Sequence, residues 1–205
     1  RVAISPLIAS QMMPLLVTFQ EEYPDVALEI FTETRFAALT AEGFDIAIRG
    51  GTLRNSDLIQ RRLATLDVGL FASPAYIRRH GTPSTAADLA RHVLLRSHDT
   101  GDKPRTRWPL RGGGSVRVDG SFVTNDRILL RAAAVAGRGI ALLTAAHASP
   151  MGDQLEQVLQ QEVGTHIGLH VVYPERALLP ARARVFIDAV VGFFSHWIPT
   201  TQVDS

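Results

Sequence analysis

The sequence predicts an α/β protein made of two lobes, and three observations carry that expectation. Short apolar runs alternate with segments of helical spacing. The alternation halts in a polar stretch and then begins again, and a strongly amphipathic helix is left over at the end of the chain.

The elements follow in order. Val2–Ile4 is an apolar run closed by Ser5-Pro6, after which Met12, Leu15, Leu16 and Phe19 recur at helical spacing until Pro24. Val26–Phe31 reads as a second strand, Phe36–Glu42 as a short helix closed by Gly43, and Phe44–Ile48 as a third strand. This βαβαβ alternation calls for parallel strands with helical crossovers. A polar pause from Arg49 to Asp57 precedes two strand-like pieces, Leu58–Leu63 and Asp67–Ala72. After Ser73-Pro74 come helices at Ala75–His80 and Thr85–Ala90, a strand at His92–Arg96 and a polar excursion from Ser97 to Gly114. Val116–Val118 and Ser121–Val123 are strand-like, a helix runs from Asp126 to Ala136, and Ile140–Leu143 is a strand. A weaker helix at Ala145–Ala148 precedes strands at Leu155–Leu159 and Ile167–Val172.

The last element, Ala181–Trp197, must bury an apolar face of Val185, Phe186, Ala189, Val190 and Phe193. The first half has fewer helices to cover its sheet, so this helix is assigned there. The predicted lobes are residues 1–66 plus 174–205 and residues 67–173, with two crossings of the chain and a ligand cleft between them.

Composition narrows the function. With 205 residues, 46% hydrophobic and 20% charged, the chain matches ordinary globular proteins. It has no cysteine, so disulfides, thiolate metal sites and cysteine nucleophiles are excluded. A net charge of +1 gives no electrostatic excess for holding a polyanion, and this chain alone is expected to bind DNA poorly. No apolar run approaches the roughly 20 residues of a membrane span. The opening Arg1-Val2-Ala3-Ile4 enters a core strand without an initiator Met, so the chain is read as a fragment.

In open parallel sheets, ligands sit beyond the carboxyl ends of the strands, where helix N-termini offer unpaired N–H groups. Hydroxyl and charged residues stand at those ends here. Ser5 follows the first strand, Thr32, Glu33 and Thr34 the second, and Arg49 the third. Arg96 and Ser97 end a strand in the second half, Thr124 and Asn125 precede its long helix, and Thr144 follows Ile140–Leu143. Thr124 and Asn125 serve either as helix caps alone or as caps that also touch a ligand, and Ser5 shares that ambiguity. Arg49, beside Gly50 and Gly51, suits a counter-ion.

Enzyme and metal signatures fail on geometry. Consecutive Ser97-His98-Asp99 cannot line up as nucleophile, base and orienting carboxylate. His166 and His170 fall in a strand-like run, where they would stand about 13 Å apart, so a solvated pair is the better reading than a metal site. Gly137-Arg138-Gly139 follows a helix, the wrong context for a dinucleotide, and Gly137 reads as a helix C-cap. Gly112-Gly113-Gly114 lacks the lysine and helix of a phosphate loop. No catalytic residues, cofactor or metal are expected.

Several motifs occur together in order: Val2–Ser5 with Met13-Pro14-Leu15-Leu16 and Tyr23-Pro24-Asp25-Val26, Glu42–Arg49, Leu70–Tyr76, His80–Pro83, Asp88–His92, Trp108-Pro109-Leu110, Asn125-Asp126, Ala136–Leu143 and Tyr173-Pro174. Over nearly its whole length the chain resembles the effector-binding domain of LysR-type transcription regulators. The resemblance implies two Rossmann-like lobes joined by two crossover strands, a periplasmic-binding-protein-like (type 2) architecture. It also implies a cytoplasmic bacterial regulator whose DNA-binding winged helix-turn-helix lies outside this chain. Its effector cleft would be lined by Ser5, Pro6, Leu7, Thr32, Glu33, Thr34, Arg49, Gly50, Thr124 and Asn125, to which the strand-end argument adds Arg96 and Ser97. The expected effector is an anionic or aromatic small molecule, and the expected partner a second copy, paired through residues 11–21 and 126–136. The stretch His98–Arg107 departs from the family pattern in being polar and basic. The competing reading is a free-standing solute-binding protein of a transport system, which shares the bilobal plan.

Overall fold

Apolar runs too short to make a helix become strands wherever a neighbouring strand completes their hydrogen bonds. The computed structural model describes residues 1–32, 43–51, 58–98, 103–148, 154–174 and 179–197. Along the chain, β1 (Val2–Ile4) leads through a short 3₁₀ turn into α1 (Met13–Glu22), followed by β2 (Ile30–Thr32), β3 (Ile46–Gly50) and the long β4 (Leu58–Ala72). Next come α2 (Pro74–His80), a 3₁₀ turn at Ala86–Arg91, β5 (Leu94–Ser97), β6 (Arg107–Pro109), β7 (Ser115–Arg117) and β8 (Phe122–Thr124). The chain finishes with α3 (Arg127–Val135), β9 (Ile140–Thr144), α4 (Ala145–Ala148), β10 (Glu156–Val158), β11 (Gly164–Pro174) and α5 (Ala181–Ser195). The helix expected at Phe36–Glu42 lies outside the described residues.

Two compact units result. The first is formed by Arg1–Thr65 with Ile167–Pro199, the second is built on Leu66–His166, and the chain passes between them within β4 and again within β11.

In the first unit β1 is central and parallel to both β2 and β3, and β11 runs antiparallel to β3. Ala3, Phe44, Ala47 and Val172 form a buried cluster joined by Phe31 and Leu58. On α5 the buried residues are Ala183, Phe186, Ile187, Val190 and Phe194. The buried stripe is thus rotated from the predicted one, leaving Val185, Ala189 and Phe193 at its half-exposed edge. Phe186 meets Phe19 of α1 edge-on, ring centres 5.0 Å apart, a favoured aromatic geometry.

In the second unit β9 lies between β4, to which it is antiparallel, and β5, to which it is parallel; β8 is parallel to β5 on its far side. Leu130 and Ala134 of α3 pack on Leu95, Ala141 and Leu143. Arg127–Val135 is helical because Leu130 and Ala134 fall on one face and both ends are capped. Asp126 accepts the N–H groups of Ile128 and Leu129, and Gly137 closes the helix at φ +70°, a conformation that favours glycine. The polar excursion after β5 hides a hairpin, β6 against β7, that carries the fully buried Trp108.

Candidate ligand-binding site

The registers of the first unit bring three strand ends level. Ile4 is opposite both Thr32 and Ile48, so Ser5 and Arg49 each lie one step beyond the paired rows. The chain turns immediately after β1. Ser5 is buried, its N–H donates to the carbonyl of Ile48 at 2.7 Å, and its hydroxyl accepts the N–H of Leu7 at 3.3 Å. The half-buried Pro6 and Leu7 follow. Ser5 therefore shapes this turn and does not cap α1, which begins eight residues later behind Met12. Gly50 lets Leu7 approach, since a Cβ there would stand 3.2 Å from Leu7 Cδ1 and 3.1 Å from Ile167 Cγ2.

Arg49 is half-buried, and that burial lowers its guanidinium pKa below the ordinary value. Its cross-strand neighbour is His170. The expectation of a solvated histidine pair is corrected here: His166 is exposed but His170 is buried. The His170 ring lies over Gly168, where a Cβ would come 2.7 Å from Cε1. The strand places alternate residues on one face, and the missing side chain at Gly168 makes room for the imidazole. Thr32 is exposed on the edge strand, and Glu33 and Thr34 lie outside the described residues.

The second unit assembles its strand ends more tightly. Ser97 pairs directly with Thr124 across β5 and β8. His98 donates its N–H to the Thr124 carbonyl at 3.2 Å, and Arg105 donates its N–H to the Ser97 carbonyl at 2.9 Å. Thr124 Oγ1 accepts the N–H of Asp126 at 3.0 Å. The capping question raised by the sequence resolves one residue later than expected: the carboxylate of Asp126 caps α3, Thr124 braces the turn before it, and Asn125 is exposed. Thr144 caps α4 by accepting the N–H of His147 at 3.3 Å, with His147 Nδ1 3.1 Å from the same hydroxyl.

Arg96 faces elsewhere. Its Nε and Nη2 both donate to the Gly120 carbonyl, at 3.0 and 2.7 Å, with Asp119 at 3.6 Å. Gly120 precedes β8, at the opposite end of that parallel strand from Thr124, so the structure does not bring the Arg96 guanidinium to the Ser97–Thr124 end.

Two arginines that strand-end reasoning missed do belong there. Arg105 is held by its backbone to Ser97, and Arg127 is the first residue of α3. Burial lowers the Arg127 pKa to about 10, and the positive charge of Arg105 adds to the shift. The only sequence signal for Arg105 was the unusual basicity of His98–Arg107.

The LysR substrate binding domain family matches residues 1–195. The chain belongs to that family. An HTH-type transcriptional regulator of Xanthomonas campestris pv. campestris is 31% identical over 87% of this chain and 54% of its own length. The transcriptional activator AaeR of Escherichia coli is 29% identical over 95% of this chain and 64% of its own length. A LysR substrate-binding domain of this size thus spans between half and two thirds of these curated relatives. The structure of full-length AphB, a virulence activator of Vibrio cholerae and a member of the same regulator family, matches with TM-score 0.82 at 28% identity, over 94% of this chain and 67% of AphB. The regulatory domain of CrgA from Neisseria meningitidis matches with TM-score 0.81 at 26% identity, over 94% of this chain and 97% of that domain. The α/β fold expected of the LysR domain is the fold shared with these structures. The relatives are named as transcription regulators, which sets aside the transport reading. No described helix is long and apolar enough to cross a membrane.

Proposed function

We propose that this LysR domain senses a small anionic or aromatic effector on behalf of a cytoplasmic, DNA-binding transcription regulator and performs no chemistry of its own. The observation that carries the reading is the pairing of Ser97 with Thr124 at level strand ends directly before the capped start of α3. Such an end sets the hydroxyls of Ser97 and Thr124 side by side, within reach of one ligand. In the first unit the turn Ser5–Leu7 beside Arg49 and Gly50 offers a second set of the same kind, and Thr32, Glu33, Thr34 and Asn125 complete the proposed contacts. Arg96 is left out because its donors are already committed. The two units are proposed to act as the lobes of a single sensing domain.

A second copy of the chain is the proposed partner. Met13 and Val17 on α1 and Ile128 and Leu129 on α3 are large apolar side chains left exposed, Ile128 at 73%. Two short stripes of this kind suit an isologous helix-to-helix interface. Effector binding then acts by favouring one of the conformations open to the dimer, through its differential affinity for them. DNA contact is assigned to a domain outside this chain.

A thermal-shift screen against carboxylates, aromatic acids, amino acids and sugars tests the sensor reading, because a ligand of the folded state raises apparent stability by mass action. A saturable shift that disappears in Thr124→Val supports it. A saturable shift indifferent to Thr124→Val and to Arg49→Ala overturns the placement.

A further inference from the structure

The end of β5 and the start of α3 bring Arg105 and Arg127 near enough for the charge of one to bear on the other, and among the described residues neither side chain forms an ion pair. Arg105 is fixed by its N–H on the Ser97 carbonyl, 2.9 Å, and the same strand end is tied to β8 by the N–H of His98 on the Thr124 carbonyl, 3.2 Å. Thr124 in turn accepts the N–H of Asp126, immediately before Arg127 begins the helix. Four residues, Ser97, Thr124, Arg105 and Arg127, are thereby linked through one turn-and-cap assembly.

Among the described residues no carboxylate or carbonyl receives the side chain of Arg105 or Arg127. Arg105 Nε is closed off from solvent and has no hydrogen-bond partner. Ser97 is buried, at 4% exposed. Burial and the nearby charge of Arg105 together make the cationic form of Arg127 harder to keep. A buried guanidinium nitrogen without a partner, as at Arg105 Nε, and a desolvated cation, as at Arg127, each cost free energy that hydrogen bonds or an opposite charge ordinarily offset. The cost is offset if an anion arrives. Guanidinium forks match the oxygens of a carboxylate or a tetrahedral oxyanion. By contrast Arg96, on the same strand, has its fork filled by the Gly120 carbonyl.

We propose that Arg105 and Arg127, with the Ser97 hydroxyl, form an oxyanion site in the second unit, and that the effector is therefore an anion bearing a carboxylate, sulfate or phosphate group. This deepens the sensor reading and rests on it. It moves the main counter-ion from Arg49 to a pair of which Arg105 belongs to the stretch, His98–Arg107, that departs from the family pattern.

Calorimetric titration of the 205-residue chain with sodium sulfate, sodium phosphate and sodium succinate, each against chloride at matched ionic strength, tests the proposal. Saturable binding of at least one is expected, and the anion that binds distinguishes inorganic from organic sources. Arg105→Gln and Arg127→Gln should each weaken it by about tenfold or more, as loss of a charge-assisted contact does. Arg127→Lys should fall between, and Arg138→Gln, an exposed residue beyond α3, should leave it unchanged. In chloride Arg127→Gln should melt no lower than the parent, because it removes a repulsion, and this shows that lost binding is not lost folding. The proposal is overturned if no anion binds saturably, or if binding survives unchanged in both glutamine variants. An effector lost in Thr124→Val but retained in both glutamine variants would sink the oxyanion site and leave the sensor reading standing. Anion binding lost in the glutamine variants but indifferent to Thr124→Val would uphold the oxyanion site and remove Thr124 from the contacts proposed for the effector.

Discussion

The hydroxyl of Tyr76 stands 3.2 Å from Nδ1 of His92 while it accepts the backbone N–H of Val93 at 2.9 Å. A hydroxyl that accepts from Val93 still has its own proton and a second lone pair to offer Nδ1, so it can serve His92 in either role. Burial lowers the His92 pKa from 6.5; the charges of His80 and Arg91 add to the shift and that of Asp88 opposes it. A depressed histidine pKa means that folding favours the neutral ring. The associated stability is present above pH 6.5 and is lost as pH falls through the lowered folded-state value. The urea midpoint should therefore drop between about pH 7.5 and about pH 5.5, and His92→Gln should flatten that slope. An unchanged slope in the variant would remove His92 from the account.

Asp126 holds the first turn of α3 by accepting two N–H groups. Asp126→Ala should cost about 1 kcal/mol, read from equilibrium denaturation, and Asp126→Asn should recover most of it. Equal losses in the two variants would show that charge, and not capping, is what matters there.

Gly120 has no room for a side chain, since a Cβ would stand 2.2 Å from the Leu94 carbonyl oxygen. Its own carbonyl is the one that receives Arg96. Gly120→Ala must push β5 and the entry to β8 apart, and a loss of about 1–3 kcal/mol is expected. A neutral substitution would mean that this segment yields freely.

The exposed apolar residues of α1 and α3 are the proposed dimer surface. Val17→Glu and Ile128→Glu should each shift the chain toward monomer in sedimentation velocity at fixed concentration without lowering its melting temperature in the monomeric state. If both variants sediment like the parent, these stripes are not the interface.

Much of the fold was legible because it is local. Ile140–Thr144, Ala145–Ala148 and the helix after Asp126 announce themselves through short apolar periods bounded by caps. The failures lie where a distant partner decides. β4 read as two pieces because Arg61, Arg62, Ala64 and Thr65 interrupt its apolar pattern, yet it is one strand that leaves one core and enters another. The strand expected at Val26–Phe31 shrinks to Ile30–Thr32, since the three residues of β1 offer only three partners. Trp108 sits in a basic, proline-containing stretch and gave no hint of burial, because the hairpin that carries it, β6 against β7, is not signalled by any period in the sequence. The strand-end rule names Ser97 and Thr124, which the structure pairs, and also Arg96, whose side chain turns instead to the Gly120 carbonyl, since a rule about sequence position says nothing of where a long side chain turns. It missed Arg105 and Arg127 for the complementary reason: their meeting depends on a backbone bond to Ser97 that no period in the sequence encodes.

The first unit takes β1–β3 from the start of the chain and β11 and α5 from its end. During synthesis the early strands must therefore wait on the ribosome with the β3 edge open and Phe19 uncovered, while the whole of the second unit is made and can fold. An open strand edge beside apolar surface is what chaperones recognise and what aggregation exploits. Within this domain the strands made first are thus the ones covered last, and a protease cut between β11 and α5 would do its damage at β1–β3 and α1.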